Sequence, residues 1–191
     1  PKPSSAASDV YKRQVAKQVY GPNAGRAAID RMGAVAKGAG VTTTADLVWG
    51  MADGFEPEWN DHASAIAEGT FPLRIFMIPF EPKLVREFGS EMLQFLEEKR
   101  AEGNDRLNTH GVKYVNDGSY PSMTLVMNEP GYLDEDGAHT GEIPWEDMVD
   151  RMLPFWEAGI QIHSHANGDR TLDMTLDTLE ALQRIHPRFD H

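Results

Sequence analysis

The chain has 191 residues, and its 18 Lys and Arg against 30 Asp and Glu leave a formal net charge of −12 at pH 7. This acidic balance argues against nucleic acid and anionic membranes as partners, because both favour basic surfaces. Since no Cys is present, disulfides, thiolate metal sites and a cysteine nucleophile are excluded. The hydrophobic fraction of 40% is typical of a globular chain of one or two domains.

The first 14 residues, PKPSSAASDVYKRQ, have neither a helical nor a strand period. They lack the apolar segment of a signal peptide, and no run in the chain approaches the roughly 18 apolar residues of a membrane span. We therefore predict a non-native or disordered leader at 1–14, followed by one domain at 15–191. With the native amino terminus absent and no signal or membrane segment, we expect a cytoplasmic protein.

Strands and helices are predicted to alternate. Four short segments rich in β-branched or aromatic residues are bounded by Gly or Pro, as strands are: Gly40–Trp49, Pro72–Pro79, Gly111–Asp117 and Gly159–His165. Helical patterns cover Asn23–Lys37, Glu56–Glu68, Glu81–Arg100, Pro144–Glu157 and Asp169–Arg184. The last helix carries leucines at helical spacing: Leu172, Leu176, Leu179 and Leu182. This alternation predicts βα units on a mostly parallel sheet, an α/β fold.

Two architectures satisfy right-handed crossovers, a doubly wound sheet and a (β/α)8 barrel. A whole barrel needs about 250 residues, so the length favours the doubly wound sheet or half of a barrel. The turn after the first strand lacks a glycine-rich phosphate motif, because bulky residues surround Trp49 where that motif needs small ones. The candidate site residues favour the partial barrel.

The segment GIQIHSHANGD ends the fourth strand. Alternation places Gln161, His163 and His165 on one face, and such a polar row is reasonable at the carboxyl-end mouth of a barrel. His165 is a candidate metal ligand through its neutral imidazole. A hydrogen-bonded packing role for His163 and His165 is equally compatible with this pattern, and the local sequence favours Asp169 as a helix cap.

The third strand, in GVKYVNDGS, places Lys113, Val115 and Asp117 on one face. A Lys that points into a barrel must be paired, neutralised or modified. A neutral amine can take up CO2, and the two oxygens of the carbamate can bridge two divalent cations. Local sequence alone favours the alternative, a Lys that extends its amine to solvent.

The loop Asp117–Gly141 is long, which is typical of binding loops and lids. Its Tyr120, Met123 and Tyr132 are candidate substrate contacts, and local packing of these side chains is the alternative. The remaining histidines stand alone in polar or Pro/Gly-rich settings and are predicted at the surface: His62, His110, His139 and His186.

Five blocks follow one another in order: GVTTTAD, PLRIF, GVKYVNDGS, TGEIPWEDM and AGIQIHSHANGDRTLDMTLDTLEAL. This series resembles the YtcJ-like branch of the amidohydrolase superfamily (amidohydrolase family 3) from about Ala27 to His191. The resemblance implies a metal-dependent hydrolase on a (β/α)8 barrel beside a small β-sandwich, acting on amide or other C–N bonds of a small molecule. The chain would be an internal fragment, about strands 2 to 5 with their helices.

The resemblance also implies roles for individual residues. Lys113 would be the carboxylated lysine that bridges the metals, His165 a metal ligand, and His163, Asp117 and Asp169 residues that line the site. It implies one or two divalent ions, with zinc expected. The family's upstream HxH, its later metal His and its general-base Asp would lie outside this chain, so no catalytic residue is assigned and the isolated fragment is expected to be inactive.

Two other kinds of protein are also compatible with the sequence. One is a complete α/β module that binds a ligand with the loop Asp117–Gly141 and needs no metal. The other is a catalytically dead barrel relative. The sequence specifies neither the substrate nor the oligomeric state.

Overall fold

The computed structural model describes residues 21, 24–134 and 137–190, so the leader predicted at 1–14 lies outside the described residues. The helices are α1 Ala24–Gly38, α2 Phe55–Glu68, α3 Glu81–Phe88, α4 Met92–Glu102, α5 Met148–Glu157 and α6 Asp169–Ile185. The strands are β1 Thr43–Trp49, β2 Arg74–Pro79, β3 Leu107–Asn108, β4 Gly111–Val115, β5 Tyr132–Asp134, β6 Gly137–His139 and β7 Gln161–His165. The described part holds no helix long and apolar enough to cross a membrane.

The main strands run parallel. β1 pairs with β2 and β2 with β3, while β4 pairs with β7. A parallel bridge from Phe80 to Lys113 continues the pairing from the end of β2 to β4. Phe76 pairs with Asn108, and Phe80 forms the bridge with Lys113. Between these two contacts the β2 chain advances four residues, whereas the neighbouring chain advances five. The extra residue interrupts what is otherwise one strand at 107–115, and the spatial order is β1, β2, β3/β4, β7.

The helices cover one face of this parallel arrangement. Val112 and Tyr114 of β4 are buried in the core, and the Tyr114 hydroxyl donates to the Arg151 carbonyl of α5 at 2.9 Å. Aromatic rings fill the other end of the core: Trp49, Phe55, Trp59, Phe88 and Phe95. Because the apolar face of each strand is used against the helices, the polar face of β4 and β7 is left for other contacts.

The two outer edges of the strand order lack further partner strands among the described residues. Exposed apolar side chains occur on α1 and β1 (Met32, Val35 and Val48) and on α6 (Leu172 and Leu176). An open strand edge flanked by exposed apolar residues is a surface to which another strand or chain can add. Both outer strands, β1 and β7, thus have one unpaired edge within the described part of the chain.

Several predicted elements differ from those observed. The helix predicted over 81–100 is two helices, because Gly89 takes a positive φ of 52° and the chain forms a 3-10 turn at Gly89–Glu91. The helix predicted from Pro144 begins at Met148. The long loop contains a 3-10 turn at Tyr120–Ser122 and the hairpin of β5 and β6, where the sequence predicted no regular structure.

Only the second half of the leucine stripe of α6, Leu179 and Leu182, faces the core. Leu172 and Leu176 are about half exposed, while the buried residues are Thr171, Thr175, Thr178 and Leu182. The threonine hydroxyls explain this orientation, because Thr175 accepts a hydrogen bond from Asn116 at 3.2 Å and Thr171 donates to Asp117 at 2.9 Å. Polar contacts to the end of β4 thus fix the rotation of α6.

Two leucines of α6 test this orientation. We expect Leu182→Ala to lower the free energy of unfolding by about 2–5 kcal/mol, because it opens a cavity at a residue with no exposed surface. Leu176→Ala should change it by less than about 0.5 kcal/mol, since that side chain is 54% exposed. Urea unfolding of the 191-residue chain, followed by circular dichroism, measures both, and equal effects would contradict the observed rotation.

Candidate functional site

The register of β4 and β7 places the predicted site residues side by side. Lys113 pairs with His163, and Val115 pairs with His165. Paired residues of neighbouring parallel strands project from the same face. The sequence predicted one face with His163 and His165 and another with Lys113 and Val115, and the register shows that these two faces are the same face of the sheet.

Lys113 is buried, with 8% of its surface exposed. Most of the side chain is therefore packed inside, in contrast to the alternative of a solvent-extended lysine that local sequence alone favoured. Its amine has no hydrogen bond or ion pair within the described part of the chain. Burial lowers the pKa of Lys113, since desolvation disfavours the charged ammonium. The strand thus holds an amine that is shifted toward its neutral, nucleophilic form.

His163 lies across the amino end of β4. A Cβ on Gly111 would lie 2.6 Å from its Cδ2 and Nε2, so only Gly leaves room for the ring. The buried Nε2 has no hydrogen-bond partner among the described residues. Burial lowers the pKa of His163, and the nearby His110 and Lys113 lower it further.

His110 lies beside this row and is exposed, as the sequence predicted, although the sequence assigned it no role. Its ring lies 4.4 Å from Phe76 and 6.1 Å from His163, between centroids. The alternation of β4 puts even-numbered residues toward the helices, but the irregularity at 109–110 interrupts that pattern. A register shift of this kind has no signature in a single sequence, so His110 was missed.

His165 ends β7 and is one-third exposed. Its Nε2 lies 2.9 Å from the Gly118 carbonyl, 2.9 Å from the Asn167 amide nitrogen and 3.7 Å from Asp117 Oδ1. A carbonyl only accepts and an amide nitrogen only donates, so a neutral imidazole satisfies one of the two. With its proton on Nε2 donated to Gly118, the ring keeps a lone pair on Nδ1, the form that a metal ligand needs.

Asp117 has no exposed side-chain surface. Its carboxylate accepts hydrogen bonds from the backbone amides of Asn167 at 3.0 Å and Gly168 at 2.7 Å, and from the Thr171 hydroxyl at 2.9 Å. The Val126 amide adds a longer contact at 3.4 Å. Asp117 therefore does not present its carboxylate to a substrate; it fixes the turn that follows His165.

Residues Thr124–Val126, here called the strap, cross the carboxyl ends of β4 and β7. Three glycines make this path possible, because a Cβ on Gly118 or Gly141 would overlap Thr124, and one on Gly168 would overlap the Val126 carbonyl. Leu125 and Val126 are buried. The long loop is thus anchored close to His165 at its centre.

The three predicted substrate contacts of the loop separate into two groups. Tyr132 is buried, its hydroxyl accepts from the Leu125 amide at 3.3 Å, and its ring stacks on His139 at 5.3 Å. It supports the strap. Tyr120 and Met123 are 71% and 40% exposed and remain available to a ligand.

Asp169 is the first residue of α6, and Gly168 occupies the N-cap position that the sequence predicted for Asp169. The exposed Asp169 carboxylate accepts from the Asn128 amide at 2.9 Å, and this bond holds the pKa of Asp169 below its usual value. The contact ties the loop to the helix. A cleft of about 390 Å³ lies beside it between the hairpin and α6, lined in part by Met127, Pro130, His139 and Arg170.

A buried ion pair supports β4 from the helix side. Glu81, at the start of α3, pairs with Arg151 of α5, and burial raises the pKa of Glu81 in spite of that partner. The Arg151 guanidinium lies 4.0 Å from the Trp145 ring centroid, and Trp145 donates to the Val115 carbonyl at 3.1 Å. Sequence reasoning missed this network, because its members come from three distant segments.

The described residues contain no group of three or more His, Asp or Glu that could hold a metal ion. Lys113 and His165 offer donors from two adjacent strands, and a zinc site takes three or four protein ligands. The residues present thus fit part of a metal site, with an unpaired amine and a histidine at a strand end. Further donors would have to come from outside the described sheet.

The chain matches a family of known proteins and resembles solved structures. The model of the Amidohydrolase family matches residues 8–191. The chain is similar to crystal structures titled uncharacterized metal-dependent hydrolases, one from Pyrococcus horikoshii OT3 (TM-score 0.63, 22% identity, 83% of this chain) and one from Pyrococcus furiosus (0.61, 23%, 81%). It spans 30% and 31% of those two chains, and the likeness shows a shared fold over that length. No curated protein matches.

The role of Asp117 predicts the effect of an isosteric change. Asp117→Asn turns an amide NH2 toward N–H donors, so we expect a loss of about 2–3 kcal/mol in the free energy of unfolding. At least one of the Asn167 and Gly168 amides should exchange with deuterium faster than in wild type, since one of the two carboxylate oxygens that accept from them becomes an NH2 group. Asp105→Asn, at an exposed carboxylate, is the control, and unchanged exchange in Asp117→Asn would contradict the assigned hydrogen bonds.

The buried amine predicts a pH dependence for the metal-free chain in CO2-free buffer. The folded chain binds the Lys113 proton more weakly than the unfolded chain, so Lys113 makes the free energy of unfolding rise with pH between its lowered pKa and the ordinary value of 10.5. We therefore expect Lys113→Met to stabilise the chain at pH 7 and the gain to shrink toward pH 10. Lys37→Met, at an exposed lysine, should show no such trend. Urea unfolding at each pH measures both, and a gain that grows with pH would contradict the shift.

Proposed function

Because the chain belongs to the Amidohydrolase family, we propose that it is an internal part of a metal-dependent hydrolase that cleaves an amide or other C–N bond of a small molecule. Within the family, the sequence blocks favour the YtcJ-like branch. The parent enzyme would be longer than this chain, as are the two structures it resembles.

The observation that carries the proposal is the buried side chain of Lys113, whose amine has no partner in the described part of the chain. Structural lysines are buried with counter-ions, as Lys99 is with Glu56 and Glu102. An unpaired lysine beside two histidines is unfavourable for folding, so a functional reason is expected. Carboxylation supplies one.

Carboxylation needs the neutral amine that burial favours. The lone pair of Lys113 Nζ attacks the carbon of CO2, an N–C bond forms, one C=O electron pair moves to oxygen, and an amine proton leaves to solvent. The product is a carbamate with one negative charge and two oxygen donors. On β4, these oxygens would lie next to the β7 histidines, because Lys113 pairs with His163.

The strand arrangement supports a partial (β/α)8 barrel. Four parallel strand segments follow in chain order with helices between them, and their carboxyl ends carry the candidate site, as barrel enzymes have it. We infer that they are about strands 2 to 5 of the barrel. The open edges at β1 and β7 would then pair with strands that lie outside the described residues.

Each residue has a role in this proposal. Carboxylated Lys113 and His165 would hold one or two divalent ions, with zinc as the proposed metal. When bound, such an ion lowers the pKa of water and polarises a carbonyl. Asp117 would position His165 through the turn at 167–168, and His163 would line the site beneath Lys113. The general base would be supplied from outside this chain.

A catalytically dead barrel relative is the second candidate. One observation favours it, since the described residues supply no three-ligand cluster. The two candidates differ in metal content, because a dead relative has no need for a stable metal site.

Metal content of the complete reading frame tests the proposal. We expect one to two equivalents of divalent metal by elemental analysis, and loss of metal and amidase activity in His165→Ala and Lys113→Ala, because each removes a donor. Propionate should restore part of the metal to Lys113→Ala, since a small carboxylate can replace the carbamate.

His186→Ala and Lys37→Ala are the matched controls, because both side chains are exposed and lie away from the site. They should keep the metal. A well-folded complete protein without metal, or one whose metal survives both His165→Ala and Lys113→Ala, would overturn the proposal and favour the dead relative.

A further inference from the structure

We propose that the turn Ser119–Thr124, here called the specificity turn, selects amides that carry an aryl or similarly bulky apolar substituent. Tyr120 and Met123 would contact that substituent. The inference rests on the proposed function, and it adds the chemical class of the substrate.

The specificity turn begins beside the candidate metal ligand. The Gly118 carbonyl lies 2.9 Å from His165 Nε2, and Ser119 is the next residue. The strap follows the turn and is held by Asp117 through the Val126 amide. The turn therefore starts one residue from the carbonyl that contacts His165.

Hydroxyl groups hold the specificity turn in one conformation. Ser122 Oγ lies 2.8 Å from Ser119 Oγ and 2.6 Å from Thr124 Oγ1, and Thr124 Oγ1 also accepts from the Ser119 amide at 3.0 Å. Met123 has a φ of 56°, and no other non-glycine among the described residues has a positive φ. A turn ordered in advance loses little conformational entropy when a ligand binds.

An aromatic row ends at this turn. His139 stacks on the buried Tyr132, and the Tyr132 ring centroid lies 5.9 Å from that of Tyr120. Tyr120 is the solvent end of the row, with 71% of its surface exposed. Another ring could extend the row, since offset and tilted aromatic pairs attract at this spacing.

The composition of the segment favours an apolar ligand over a charged one. Residues 118–127, GSYPSMTLVM, contain no charged side chain, although a quarter of the whole chain is charged. Tyr120, Pro121 and Met123 of this segment are exposed. Exposed apolar side chains on a rigid turn at a site mouth are typical of ligand contacts.

The test compares two neutral probes, N-benzylacetamide and N-methylacetamide. They share the acetamide group and differ only in the substituent on nitrogen. The methyl group of Met123 is observed by NMR in the metal-free chain labelled at its methionine methyls, and Met123→Leu assigns its signal. We expect N-benzylacetamide to shift this signal with a midpoint at least about fivefold lower than that of N-methylacetamide. Should the 191-residue chain give the spectrum of an unfolded protein, the same titration is made on the complete reading frame.

Variants identify the contact. Tyr120→Ala should weaken N-benzylacetamide binding about three- to tenfold, the range of one aromatic contact, whereas Tyr120→Phe should retain it. Leu176→Ala, at an exposed leucine on α6, should also retain it. Equal binding of the two probes, or benzyl binding that persists unchanged in Tyr120→Ala, would overturn the inference.

Kinetics separate this inference from the proposed function. In the complete metal-loaded protein, Tyr120→Ala should lower the ratio of kcat/KM for the benzyl over the methyl amide and leave the metal content unchanged. Hydrolysis with an unchanged ratio would refute the specificity turn and leave the hydrolase intact. Absence of metal with benzyl-selective binding would refute the hydrolase and leave the turn as a ligand site.

Discussion

The carboxylate of Asp117 lies where the end of β4, the turn before α6 and the strap meet. A fully buried carboxylate is stable only when hydrogen bonds replace its water, and here three separate segments provide them. The contact therefore sets the position of the turn after His165 and of the loop above it. The rotation of α6 depends on it too, because the Thr171 hydroxyl that faces Asp117 requires the threonine side of the helix to be buried.

The strand that carries Lys113 is held from both sides. Asp117 fixes its carboxyl end at the mouth, and Trp145 binds the Val115 carbonyl from the helix layer, supported by Arg151 and the buried Glu81. A strand restrained in this way cannot rotate as a whole without breaking buried polar contacts. The restraint keeps the stem of Lys113 packed in the sheet, where burial lowers the pKa of its amine. Rigidity of the scaffold is thus a condition for the reactivity proposed for Lys113.

The sequence predicts the strands and their faces well, because period-two alternation is local: β2, β4 and β7 all begin and end within two residues of their predicted bounds. It also places His163 with His165 and Lys113 with Val115, whereas the register that brings the two sets together is a property of the fold. It does not predict which side of α6 is buried, since leucine spacing alone ignores the hydroxyl contacts of Thr171. The position of His110 depends on a register shift, and the Glu81–Arg151 pair on contacts 70 residues apart. Both are properties of tertiary structure.

Positions close to the strap differ in how well they tolerate substitution. Gly118, Gly141 and Gly168 touch the backbone or side chains of Thr124 and Val126 so closely that any larger residue would displace the loop and, with it, the turn after His165. Tyr120 and Met123 face solvent on the same loop, where replacement disturbs neither anchor. Such a division lets mutation alter the outer residues while the candidate site keeps its shape. Variants of this scaffold could therefore diversify in chemistry through a few surface substitutions, without first losing stability.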